Sequence, residues 1–110
     1  MPTVYRSCRH NPPERGDFQS DKDAGIPQGP TQSDEGWGSI STFKSAQLCK
    51  KKGLKHGHGP YIVEFIIEDD TPIRVGHISK NGHINVIGDP EEFVRLALAA
   101  KVVHRDQVED

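Results

Sequence analysis

A small α+β domain is the fold class this sequence predicts: a mostly antiparallel β-sheet with two packed helices and a long N-terminal loop. Three observations point there. Residues Tyr61 to Ile67 alternate as a strand does, Lys80-Asn81-Gly82 divides two β-compatible runs as a hairpin turn does, and Asp89-Pro90-Glu91-Glu92 opens an apolar-faced segment as a helix start does. Strands and helices in mixed order, with a hairpin among them, suit helices laid on an antiparallel sheet. At 110 residues the chain is one domain's worth.

Thr3 to Cys8 reads as a first strand, closed by Arg9-His10-Asn11-Pro12-Pro13. From Arg9 to Gly36 only Phe18, Ala24 and Ile26 are apolar, and Pro12, Pro13, Pro27 and Pro30 interrupt any helix. This stretch is expected to be a long Pro/Gly-rich loop that builds no core, serving as a functional lid or a mobile insert. Trp37 to Phe43 then predicts a short strand leading into a helix from Thr42 to Lys52. Ser41 or Thr42 would cap it, and Gly53 would stop it. Phe43, Ala46 and Cys49 share one face of that helix, and Lys50, Lys51 and Lys52 complement the negative end of its dipole.

Tyr61 to Glu68 predicts the strongest strand, with Tyr61, Val63, Phe65 and Ile67 on one face and Ile62, Glu64, Ile66 and Glu68 on the other. Ile73 to Ser79 and His83 to Ile87 form the hairpin. A two-residue type I′ turn at Asn81-Gly82 would oppose Lys80 with His83, placing Val75, His77, Ile84 and Val86 together and Arg74, Ile78, His83 and Asn85 on the opposite face. Asp89 is the N-cap and Pro90 the first residue of a helix reaching Ala100. Lys101 to Arg105 reads as a last strand and 106–110 as a frayed polar tail.

Composition excludes several functions. A net charge of −2 gives no general pull toward nucleic acid, and the longest apolar run, Leu96 to Ala100, is too short to span a membrane. Met1 to Arg6 lacks a signal-peptide core, and two cysteines, Cys8 and Cys49, do not make a disulfide framework, so a reducing cytoplasmic location is expected. Cys8, His10, Cys49, His56 and His58 offer nitrogen and sulfur ligands without the spacing of a zinc site, and no metal is assigned. Lys50, Lys51, Lys52, Lys55, His56 and His58 form the one basic cluster, a contact for a phosphate-bearing ligand or simply a solvated helix end. The scarcity of nearby aromatics argues against a nucleic-acid platform. No Rossmann glycine fingerprint, phosphate loop or nucleophile elbow occurs. Glu64 is the single charge within Tyr61 to Ile67. Buried, it is a candidate for acid–base work; on a wet face, it is an ordinary strand residue.

Val4-Tyr5-Arg6, Gly38-Ser39-Ile40-Ser41-Thr42-Phe43 and Gly59-Pro60-Tyr61-Ile62-Val63-Glu64, taken in order, resemble small bacterial proteins related to ADP-ribosyltransferases. Asn11-Pro12-Pro13, Asp17-Phe18, and His83 followed by Gly88-Asp89-Pro90-Glu91 extend the likeness, which covers Val4 to Val103. The resemblance implies a cleft in a split sheet that binds NAD, with Arg6 on a phosphate or ribose, Ser41 orienting the nicotinamide ribose, and His83 beside them. It also implies a protein acceptor and a toxin-type transferase. The family's late-strand Glu-x-Glu or Gln-x-Glu has no counterpart, since Glu91 and Glu92 open a helix and Glu64 lies on an earlier strand. Two readings therefore stand: an ADP-ribosyltransferase-like enzyme, and a noncatalytic binding module on the same scaffold that uses Arg9 to Gly36 as its contact surface. For each candidate residue an ordinary role stands beside the functional one: an ion pair for Arg6, a helix cap for Ser41, an exposed hairpin position for His83.

Overall fold

The computed structural model describes residues 3–56, 59–98 and 100–109. Among them, six strands form one antiparallel sheet: β1 (Thr3–Cys8), β2 (Ile40–Phe43), β3 (Tyr61–Ile66), β4 (Arg74–Ile78), β5 (His83–Ile87) and β6 (Lys101–His104), in the spatial order β4-β5-β2-β1-β3-β6. The helices are α1 (Asp34–Gly38), α2 (Ala46–His56) and α3 (Pro90–Leu98). The α+β class is the predicted one, with α1 added at the end of the predicted loop and running past it to Gly38.

Strand alternation divides the side chains between two covered faces. On the first face Val4, Ile40, Val63, Phe65, Ile84 and Val86 pack with Phe93 and Ala97 of α3. On the second, Phe43 and Ile62 pack with Cys49 of α2 and with Val108 near the C-terminus. The division of Val63 and Phe65 from Ile62 is the one the sequence predicts.

The sheet is continuous but nearly divided. β1 pairs with β3 along Thr3 to Cys8, and β2 pairs with β5 along Ile40 to Phe43, whereas β1 and β2 share only the register pair Tyr5 and Phe43. The split that the family resemblance implies is not there: β1 and β2 are neighbours in one sheet, and this seam is its thinnest joint.

Several expectations change. Phe18, placed outside the core by its polar surroundings, is fully buried; its ring stacks on Phe93 at 5.9 Å and meets Phe65 edge-on at 6.3 Å. Its setting is a 3₁₀ turn over Arg15–Phe18, held by Asp17. That carboxylate accepts the backbone N–H groups of Arg9 and Glu14, each at 2.9 Å, and contacts His10 Nδ1 at 3.1 Å. A short polar residue that satisfies backbone donors can thus fold a loop back onto the sheet.

Trp37 lies on α1, and α2 begins at Ala46 because Ile40–Phe43 stays extended to pair with β5. Thr42 spends its hydroxyl on the Ile84 carbonyl, and Ser45 Oγ instead accepts the Leu48 N–H at 3.2 Å. The helix runs past Gly53 to His56, so the three lysines sit mid-helix. α3 starts as predicted, Asp89 Oδ1 accepting the Glu91 N–H at 2.9 Å, and ends at Leu98. Beyond β6 the tail makes a 3₁₀ turn, and Val108 is buried where fraying was expected. Lys50 Nζ donates to its carbonyl at 2.8 Å.

The hairpin register also differs. Ser79 N–H donates to the His83 carbonyl and Gly82 N–H to the Ser79 carbonyl, with Gly82 at φ +89°, so the loop has three residues and Lys80 does not oppose His83. Asn81 keeps a negative φ, which a type I′ turn forbids. A Cβ on Gly82 would come within 2.6 Å of Leu48, so the tip must be glycine to dock on α2. Val75 pairs with Val86 and Ile78 with Ile84, which inserts one extra residue in β4. This bulge reverses side-chain parity: His77, expected on the apolar side, is exposed.

Candidate functional site

Arg6, Ser41 and His83 are not brought into one cleft. Val4 and Cys8 belong to the first face, so Arg6, between them in alternation, points there too. Phe43 belongs to the second face, which places Ser41 and the register partner of Phe43, His83, on that side. Arg6 instead spans the seam: its Nε donates to the Asp17 carbonyl and its Nη1 to the Ser41 carbonyl, each at 2.7 Å. Ser41 thus meets Arg6 through its backbone. Burial pulls the guanidinium pKa below its ordinary value.

His83 is half-buried, with its ring edge-on to Phe43 at 5.5 Å. Burial, and secondarily the nearby His77, lower its pKa from the usual imidazole value. The unfolded chain therefore binds the proton more tightly, and the native state should lose stability as pH falls through about 6.5. Below the folded-state pKa the loss is complete and the curve flattens. Urea titrations across this range should show a shallower slope for His83→Asn; equal slopes would refute the assignment.

The thiols take no part in such chemistry. Cys8 and Cys49 are both free and buried, and burial pushes the Cys8 pKa up to about 12. Cys49 is raised too, chiefly by burial, and its Sγ lies 3.3 Å from Ser7 Oγ. Thiols held protonated are poor nucleophiles.

Two cavities gather the remaining polar groups. The larger, about 850 Å³, lies between residues 22–38 and the β4–β5 hairpin, and presents Lys22, Asp23, Asp34, Glu35, Arg74 and His77. Its geometry is fixed by the bulge, where Glu35 Oε1 accepts the His77 backbone N–H at 2.5 Å. Gly76 permits this approach, since a Cβ there would stand 1.8 Å from the same oxygen. Lys22 Nζ sits 5.6 Å from the centre of the Trp37 ring, and Trp37 Nε1 donates to the Ile26 carbonyl, which ties the loop to α1.

The smaller cavity, about 280 Å³, opens on the second face between α2 and the C-terminal tail, with Tyr5, Gln47, Glu64, Lys101, Gln107 and Glu109 around it. Glu64 is half-buried here opposite Tyr5, so it is neither a fully buried acid nor a plain wet-face residue. Burial, then the neighbouring Glu64 carboxylate, raise the Tyr5 pKa.

Sequence reasoning did not find Arg74, His77 or Asp34, nor Tyr5 and Lys101. Glu64 was visible as a lone charge in an apolar run. Its partners depend on β1 and β6 flanking β3, an order no local pattern encodes.

Among the described residues no group of three or more His, Cys, Asp and Glu is placed to hold a metal ion, and no helix is long and apolar enough to cross a membrane. His58 lies outside the described residues. No protein-family model, curated protein or solved structure matches the chain.

Proposed function

We propose that this protein is a noncatalytic binding module for a nucleotide or related phosphate-bearing small molecule, NAD and ADP-ribose among the candidates. Its site is the larger cavity, walled by part of the Arg9 to Gly36 segment. One observation carries this reading: the carboxylates there already have protein donors, while Arg74 and the His77 ring have no acceptor. Ser20 Oγ donates to Asp23, Gln28 Nε2 to Asp34 and the His77 N–H to Glu35. Among the described residues, neither Arg74 nor the His77 ring has a hydrogen bond or ion pair, so both are available to an anion.

The mixed charge suits a nucleotide better than a bare phosphate. Arg74 offers a planar donor fork to phosphate oxygens, and an ionised carboxylate with one partner retains acceptor sites for ribose hydroxyls. A volume of about 850 Å³ is within the range of small-molecule sites. The transferase reading has less support, because Arg6 is committed to two backbone carbonyls on the sheet face opposite the side chains of Ser41 and His83.

Calorimetric titration with NAD, ADP-ribose and AMP tests the reading. Arg74→Ala should weaken binding by about tenfold, as expected for loss of a charge-assisted contact, and Asp34→Asn by less. Failure of all three ligands to bind, or binding unaffected by Arg74→Ala, would overturn it.

A further inference from the structure

We infer that the smaller cavity is a second binding site, specific for a small zwitterion of amino-acid size with an ammonium at one end and a carboxylate at the other. Glu64 is the central group. It is the register partner of Tyr5 on β1 and of Lys101 on β6, so all three side chains stand on the second face in one row across three strands. Tyr5 stands beside Glu64 as its direct cross-strand neighbour, and the carboxylate oxygens keep acceptor capacity toward the cavity.

Lys101 is the natural ion-pair partner of Glu64, since directly opposed residues have Cβ atoms about 5 Å apart. Among the described residues no ion pair joins them, and each charge stays available at the cavity. A simple cation would be repelled by Lys101, and a simple anion by Glu64 and Glu109. A zwitterion satisfies both: its ammonium on Glu64, its carboxylate on Lys101. Gln47 and Gln107 supply amide groups that accept from the first or donate to the second.

The surroundings favour such a contact. Ile62, Val103 and Val108 form an apolar wall, and Val108 is anchored through its carbonyl by Lys50. Apolar walls strengthen charge interactions by excluding water. The cavity, at about 280 Å³, lies just under the usual range for drug-sized ligands, which restricts the occupant to a compact molecule.

The test is calorimetric titration of the full chain with 4-aminobutyrate, butylamine and butyrate. The zwitterion should bind at least about tenfold more tightly than either singly charged analogue. Glu64→Gln and Lys101→Met should each reduce its affinity by about tenfold, and Tyr5→Phe, which removes only a neighbouring hydroxyl from the cavity wall, by a smaller factor. Circular dichroism of each variant separates lost binding from lost folding. The charge-exchanged double variant Glu64→Lys/Lys101→Glu should recover part of the affinity. Equal binding of butylamine and 4-aminobutyrate, insensitivity to both Glu64→Gln and Lys101→Met in folded proteins, or no zwitterion binding at millimolar concentration would overturn the inference.

Discussion

Arg6→Ala should destabilise the native state by about 3 kcal/mol, because it removes two hydrogen bonds from a charged donor and strips two carbonyls of their partner. Those carbonyls belong to Asp17 and Ser41, on the 3₁₀ turn and on β2. The Ser41 contact bridges the place where β1 and β2 share a single register pair, so one side chain reinforces the weakest joint of the sheet. Arg6→Lys should recover only part of the loss, since an ammonium cannot reproduce the planar fork that reaches two acceptors in fixed directions. Urea denaturation should show a lower midpoint with little change in slope. If Arg6 instead served a ligand, alanine would leave stability nearly unchanged and abolish binding; a loss below about 1 kcal/mol would therefore sink the structural assignment.

The residues that were legible from sequence are those whose local pattern coincides with their global environment. β3 is an example: its alternation assigns Val63 and Phe65 to one core and Ile62 to the other, and both cores exist. The start of α3 is another, because Asp89 and Pro90 define a helix N-terminus through backbone geometry alone. Arg6 stands out in the sequence only through the family resemblance; its direction depends on strand alternation relative to Ser41, and its role depends on which strand lies beside it. The same limit applies to Glu64, whose environment is made by β1, β6 and a tail distant in sequence.

The hairpin illustrates a different obstacle. Asn81-Gly82 is a strong turn signal, but Gly82 alone can supply positive φ in a three-residue loop, and the choice between loop lengths is made by docking of the tip on Lys44 and Leu48. Lys44 N–H donates to the Gly82 carbonyl at 2.9 Å, a contact between segments far apart in sequence. One added residue in β4 then changes which side chains face the larger cavity, and with it the candidate binding residues.

Phe18→Ala should cost about 4 kcal/mol, within the range for deleting a buried phenylalanine. The ring is fully buried and lies between Phe93 of α3 and Phe65 of β3, so truncation leaves a void bounded by a helix and a sheet that cannot both move in to fill it. Phe18→Leu retains most of the apolar volume and should cost about 1 kcal/mol. The loss should also be coupled to Arg6. Phe18 anchors the 3₁₀ turn from the core side, whereas Arg6 holds the same turn through the Asp17 carbonyl one residue earlier. Once either anchor is removed, the turn can shift and the other contributes less, so the double variant should be more stable than additivity predicts by about 1 kcal/mol. Chemical denaturation of the four-member cycle measures this directly. Strict additivity would show that the turn is held independently of Arg6, and a cost for Phe18→Ala below about 1 kcal/mol would remove the 15–18 turn from the core altogether.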